Sequence, residues 1–304
     1  MQQIPLDPSA VTGTDTGSGV IEIRPDVAYR SLTLVNVAFI GPVGAVDRDW
    51  LLVDAGLSGS EPEIVAAAAH RFGAASRPAA IILTHAHFDH VGAVLDLSER
   101  WDVPVFAHPL EHPYLDGSAR YPAPDPKVGG GLMSLLSPIY ERGPIDLGDR
   151  LRALPEDGSL PKTKASLFHA AASGAWRWLH TPGHSVGHVS LWREADRTLL
   201  AADAVITTAQ ESAYAVAMSR TELHGPPMYF THDWAAARGS VERLAALQPD
   251  IMLSGHGKAV AGPAMRQALH DLSHDFDSIA YPADAHYLLH PARAEDGSAY
   301  VAPD

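Results

Sequence analysis

The sequence predicts a layered α/β domain built from two similar halves. Three observations predict it. Short apolar, β-branched runs alternate with helix-spaced segments in both halves of the 304-residue chain. No short-period repeat breaks that pattern. Polar residues able to bind metals recur where the apolar runs end.

Residues 1–20, rich in Thr, Gly, Ser and Asp, read as a flexible N-terminal arm. A strand-like pattern begins at Ile21. "SLTLVNVAFIG" (31–41) and "DWLLVDAG" (49–56) flank a Gly/Pro/Asp turn region, which predicts a hairpin. "EPEIVAAAAHRFG" (61–73) has a Glu-rich first turn, an alanine body and a Gly stop, so it predicts a helix. "PAAIILTH" (78–85) reads as a short buried strand, "VGAVLDLSERW" (91–101) as a helix and "PVFAHP" (104–109) as a strand. Residues 109–165 are Pro- and Gly-dense, and so long an irregular connection reads as a lid-like insertion. "AWRWLHTPGH" (175–184), "HVSLWRE" (188–194) and "RTLLAADAV" (197–205) return to strand. A helix-leaning stretch and the aromatic "PPMYFTHDW" (226–234) follow. "WAAARGSVERLAAL" (234–247) then predicts a helix and "IMLSGHG" (251–257) a last strand with its turn. Residues 21–262 would form the main domain, and 263–304 a C-terminal helix and tail packed on it.

Composition narrows the function. At 46% hydrophobic and 19% charged, the chain suits a globular protein with a sizeable core. Its formal net charge of -14 makes nucleic acid and anionic membranes poor partners and leaves a small-molecule substrate. A homo-oligomer is left open. With no cysteine there is no disulfide, thiolate metal site or Cys nucleophile. The N-terminus lacks the layout of a signal peptide, and no stretch reaches the roughly 18 apolar residues of a membrane span. The expectation is a cytoplasmic protein.

"ILTHAHFDHVG" (82–92) crowds His85, His87, Asp89 and His90 together as an apolar strand turns into a helix. His85 and His87 share one side of an extended strand end. One metal cannot easily take all four side chains and stay open, whereas two neighbouring metals can each take a pair. Each then needs a further ligand, and a shared carboxylate would hold both. His184 in "HTPGHSVGH", Asp203 in "LLAADAV", His256 in "IMLSGHGK" and Asp54 in "LLVDAG" each stand at a strand end.

"THAHFDH", "TPGHSVGH", "AADAV", "SGHG" and "VDAG" resemble, in order, the motif series of the metallo-β-lactamase-fold hydrolases, in a glyoxalase II or lactonase-like branch. The resemblance spans roughly residues 30–260. It implies a four-layer αββα sandwich with a two-metal site at one edge. Carried over, it gives His85, His87 and His184 to one metal, and Asp89, His90 and His256 to the other. Asp203 would bridge them. Asp54 would orient ligands from behind, with a plain strand-end turn as its alternative. Two divalent ions are implied, Zn²⁺ first, with Mn²⁺, Fe or Co²⁺ also suiting these donors.

Other polar residues carry weaker signals. His188 lies four residues after His184, but flanking glycines and a strand-like "HVSLW" favour a structural or ligand-supporting role. Tyr121, Tyr229, His232 and Trp234 fall in irregular segments, where loop packing competes with substrate contact.

The implied chemistry is hydrolysis by a metal-bridging hydroxide, with Asp89 taking up the proton left after attack. A small ester, thioester or lactone is the expected substrate. Alternatives are a phosphodiester or phosphotriester, oxidation of a persulfide at a single iron, and a non-catalytic sensor. Ile206 stands where the resemblance to acyl-homoserine lactonases wants a tyrosine, and no Arg/Lys-rich segment marks a glutathione site.

Overall fold

The computed structural model describes residues 4–129, 132–163, 175–208, 221–282 and 285–303. Among these, eight strands form one sheet in the spatial order Thr14–Asp15, Val20–Arg24, Val27–Ser31, Asn36–Ile40, Leu51–Val53, Ala80–Ile82, Val105–Ala107 and Leu151–Ala153. The last four run parallel, and the earlier pairings are antiparallel. The expected hairpin is present, with Ala38 opposite Val53 and Ile40 opposite Leu51. A second sheet orders Trp176–His180, Val189–Arg193, Thr198–Ala202, Ile251–Ser254 and Val260–Ala261. Only its Thr198–Ala202 and Ile251–Ser254 pair is parallel.

The strand period of two sorts each sheet's side chains into separate cores. Ala38, Ile40, Leu51, Val53 and Ile82 face the other sheet, meeting Val189, Leu191, Leu200 and Leu253. The alternate residues Val37, Phe39, Leu52 and Ile81 face outward beneath the helices Glu61–Phe72 and Val94–Trp101. On the second sheet Leu199, Ala201 and Met252 face outward beneath Trp234–Ala246 and Gly262–His274. Three cores therefore separate four layers, helix–sheet–sheet–helix, as the αββα expectation required. Because both faces of these strands are buried, they read in sequence as continuous apolar runs.

The N-terminal residues carry strand pairings of their own. Within the expected arm, Ile4–Pro5 pairs with Glu222–Leu223 and Thr14–Asp15 with Glu22–Ile21. These pairings satisfy backbone groups that a free arm would leave to water. In the 109–165 insertion the described residues form short helical turns, and Leu151–Ala153 then completes the eight-stranded sheet. Residues 130–131 and 164–165 of that insertion lie outside the described residues, as do 209–220 of the helix-leaning stretch. Among the described residues, no helix is long and apolar enough to cross a membrane.

Candidate metal centre

The strands deliver the site. Leu51–Val53, Ala80–Ile82, Thr198–Ala202 and Ile251–Ser254 end next to Asp54, the His85–His90 run, Asp203 and His256 respectively. Two residues leave their strands with left-handed backbone, Asp54 at φ 61° and Ala202 at φ 48°. Aspartate tolerates this conformation, whereas at Ala202 it stores strain just before Asp203. Gly255 is required by close approach. A Cβ there would lie 2.0 Å from Asp203 Oδ1.

The seven expected ligands converge. All are buried, from 0% exposure at His85, His90 and His256 to 6% at Asp89. The donor atoms of His85, His87 and His184 lie within 4.8 Å of one another, as do those of Asp89, His90 and His256. A third such group, His85, His90 and Asp203, links the two. Asp203 Oδ2 is 3.0 Å from His256 Nε2 and 3.5 Å from both His90 Nε2 and His184 Nε2. One carboxylate thus touches members of both trios.

These residues fit divalent ions. His85, His87 and His90 each leave Nε2 buried without a hydrogen-bond partner, and Asp203 leaves Oδ1 so. Orphaned buried acceptors are costly, and a cation placed among them removes that cost. Imidazole with carboxylate, and no thiolate, is a donor set for Zn²⁺, Mn²⁺, Fe or Co²⁺.

Electrostatics agree with this fit. Burial, reinforced by the neighbouring imidazoles, holds His85 and His87 well below the ordinary histidine pKa, so both stay neutral, the form that can donate to a metal. Burial also lowers His184, with Asp203 opposing it. At His90 and His256 burial opposes charge, but the surrounding carboxylates, Asp203 foremost, win and raise both pKa values. Burial penalises the charge on Asp203, yet His256 and His90 outweigh it and keep its carboxyl well below the usual range. A bound cation would displace the protons from His90 and His256.

Supporting contacts fix the rings. Asp54 Oδ2 lies 2.8 Å from His90 Nδ1, while Asp54 Oδ1 accepts from the Thr84 backbone N–H at 2.8 Å. His90 Nδ1 must therefore carry its hydrogen, leaving Nε2 to the site. His256 Nδ1 donates to the Leu34 carbonyl at 2.6 Å, to the same effect. Both nitrogens of His188 are engaged. Its Nε2 accepts from the Asp203 backbone N–H at 3.1 Å, and its Nδ1 donates to the Thr181 carbonyl at 3.1 Å. His188 therefore holds the Asp203 backbone in place.

The chain matches the Metallo-beta-lactamase superfamily over residues 31–256. It belongs to that superfamily. It is 41% identical over 269 residues to "Probable metallo-hydrolase YflN" of Bacillus subtilis (strain 168), covering 88% of this chain and 97% of that protein. "Probable metallo-hydrolase YybB" of the same organism is 29% identical over 62% of this chain and 68% of its own. Among solved structures, a beta-lactamase domain protein from Burkholderia ambifaria superposes with a TM-score of 0.58 at 22% identity, covering 91% of this chain and 81% of that one. BJP-1, a subclass B3 metallo-beta-lactamase of Bradyrhizobium japonicum, gives 0.55 at 18% identity over 86% and 92%. The structural likenesses establish the fold; the family match and the relatives make this chain a superfamily metallo-hydrolase.

Tyr121, Tyr229, His232 and Trp234, for which loop packing competes with substrate contact, are all buried. Tyr121 is buried with its ring 4.3 Å from that of His87 and its hydroxyl on Glu111. Tyr229 is buried, its ring 5.0 Å from Phe230. His232 stands edge-on to Tyr287 at 4.7 Å, 6.3 Å from His87, and burial lowers its pKa to about 4. Trp234 is buried beside Phe276 and Tyr281. Other rings stand beside the cluster that sequence reasoning missed. Phe230 lies 4.8 Å from His87, and half-buried Phe88 and Tyr140 face each other at 5.2 Å. Phe88 had a signal, since it sits inside "HAHFDH". Thr84, Thr181 and Glu111 had none beyond being polar near strand ends.

Proposed function

We propose that this metallo-hydrolase cleaves a small uncharged ester, thioester or lactone at two divalent ions, Zn²⁺ foremost. His85, His87 and His184 would hold one ion, Asp89, His90 and His256 the other, and Asp203 both. The observation that carries the acyl reading is the wall beside the cluster. Phe230 lies 4.8 Å from His87, and the rings of Phe88 and Tyr140 lie 5.2 Å apart where the chain reaches Asp89.

When bound, the ions supply a nucleophile from water near neutral pH and polarise the substrate oxygen on which charge develops. The chain's own residues do the rest. The three aromatic rings exclude water from the acyl group and orient it. The Asp89 carboxylate, with Oδ2 3.5 Å from His256 Nε2, takes up the proton released on attack. Burial, and then the Asp89 charge, raises the Tyr140 phenol, so it stays a hydrogen-bond donor. Ile206 is buried with its backbone paired to His224, and it gives a substrate no hydroxyl. An ester or thioester therefore suits the site better than an acyl-homoserine lactone.

The test is metal content by mass spectrometry on protein purified without added metal, run beside a substrate panel. The panel holds a p-nitrophenyl ester, a lactone, S-lactoylglutathione, a phosphodiester and a phosphotriester. About two ions per chain with turnover of acyl substrates is expected. Turnover confined to the phosphoesters, or one iron with no hydrolysis, overturns the proposal.

A further inference from the structure

Glu111 is a fully buried carboxylate, 0% exposed, and its chemistry is not accounted for by the metal trios. It ends the turn Pro109–Glu111 that follows the strand Val105–Ala107, and its backbone N–H donates to the His108 carbonyl at 2.8 Å. Among the described residues no cation pairs with it. Four donors from the protein reach it instead.

Those donors divide by oxygen. Oε2 accepts from the Ala86 backbone N–H at 3.0 Å and from the Tyr121 hydroxyl. Oε1 accepts from Ser185 Oγ at 2.8 Å and from the Gly187 backbone N–H at 2.7 Å. Ala86 lies between His85 and His87. Ser185 follows His184, and Gly187 precedes His188, which holds the Asp203 backbone. Each oxygen thus grips one of the two histidine-bearing loops. Those loops meet where His87 Nδ1 and His184 Nε2 lie 2.9 Å apart. Gly187 leaves room for this grip, because a Cβ there would stand 2.7 Å from Glu111 Cγ.

We propose that Glu111 is a positioning residue for the His85–His87–His184 metal trio, its two oxygens setting the spacing between the loops that carry the three rings. A carboxylate does this as an amide cannot. It is acceptor-only on both oxygens, and four donors match its lone-pair sites. Glutamine would turn an NH₂ group toward the donors of one loop and push that loop away. Burial raises the Glu111 carboxyl, and the hydrogen bonds from Tyr121, Ser185, Gly187 and Ala86 each work against that rise and favour the charged form. Tyr121, sharing Ala86 N–H at 3.0 Å with Glu111, completes the clasp.

The proposal rests on reading the cluster as a metal site, and the experiment separates the two. Metal-free full-length protein is titrated with Co²⁺, following heat and the visible d–d bands. Wild type is expected to take up two equivalents. Glu111→Gln is expected to weaken one equivalent about 10- to 100-fold, the range for losing a ligand's supporting partner, and to change that equivalent's d–d bands. The other equivalent should keep its affinity. Asp89→Asn identifies which is which, since it weakens the equivalent that Glu111→Gln spares. Ser185→Ala, which removes only one donor and leaves the carboxylate, covers the case in which Glu111→Gln does not fold. It should weaken the same equivalent several-fold. If wild type takes up two equivalents and the variants lower only the melting temperature, with both affinities and the spectrum unchanged, Glu111 is merely structural and the proposal fails alone. If wild type takes up no Co²⁺, the metal-site reading fails and the proposal with it.

Discussion

Asp54→Asn isolates what a single proton position does for metal binding. In the native site Asp54 Oδ2 accepts from Thr84 Oγ1 at 2.8 Å and faces His90 Nδ1 at 2.8 Å, while Oδ1 accepts from the Thr84 backbone N–H. A carboxylate only accepts, so His90 must carry its hydrogen on Nδ1 and present a bare Nε2. Asparagine has almost the same shape and tolerates the left-handed φ of 61° at this position. Its oxygen can serve the Thr84 N–H, but then its NH₂ faces His90. The ring answers by accepting at Nδ1 and moving its hydrogen to Nε2, which blocks the ligand atom. Restoring the binding tautomer would set N–H against N–H in a buried site, at a cost of about 1–3 kcal/mol. That is roughly a 10- to 100-fold loss of affinity for the equivalent using His90. Calorimetric titration of the metal-free variant with Zn²⁺ reads this directly, and near-ultraviolet circular dichroism should show the fold intact. Two equivalents binding with wild-type affinity would refute the tautomer argument.

Other expectations follow from the same geometry. Asp203→Ala removes the carboxylate that touches both trios, so metal and activity should be lost together. Normal metal content with full activity would refute its shared role. His188→Ala should keep most of its metal, because both ring nitrogens are engaged within the protein; loss of a full equivalent on mass spectrometry would make it a ligand. Metal-stripped protein should lose thermal stability as pH falls from about 6.5 toward 4. Burial lowers His108, His188, His224 and His232 to about 4 and pushes His85, His87 and His184 further below the ordinary value. Each lowered histidine stabilises fully above the unfolded pKa, and that contribution fades as pH falls toward the folded value, because the unfolded chain then binds protons the folded one refuses. His90 and His256, with raised pKa values, act the other way but are fewer. A melting temperature that stays flat or rises on acidification would count against this balance.

The candidate ligands that the structure brings together are legible because most of them stand near the end of an apolar run, and a strand end leaves a polar side chain few places to point. Both halves of the fold were legible for the same reason: strands such as Asn36–Ile40 and Thr198–Ala202 are buried on both faces and read as unbroken apolar runs. The N-terminal strands were not. Ile4 pairs with Leu223, more than two hundred residues away, and nothing in "IPLDPSA" announces that partner. Leu151–Ala153 escaped because a short, half-exposed edge strand carries little hydrophobic signal. Glu111 escaped for a different reason. Its four partners come from residues 86, 121, 185 and 187, so no spacing in the sequence encodes the clasp.

That clasp also bears on which substrates the site suits. Two divalent ions would bring four positive charges into a buried cluster. Asp89 and Asp203 lie among the donors, Asp54 holds His90, and Glu111 holds the histidine loops, so two buried carboxyl groups stand in the cluster and two more brace it. An anion entering such a site would meet acidic groups on several sides. A neutral carbonyl meets no such opposition. It acquires negative charge only in the transition state, where the ions can stabilise it, so the binding it gains is gained during reaction rather than before it. The carboxyl groups that position the rings would thus also tilt the site from phosphodiesters toward acyl substrates, which is the discrimination the substrate panel measures.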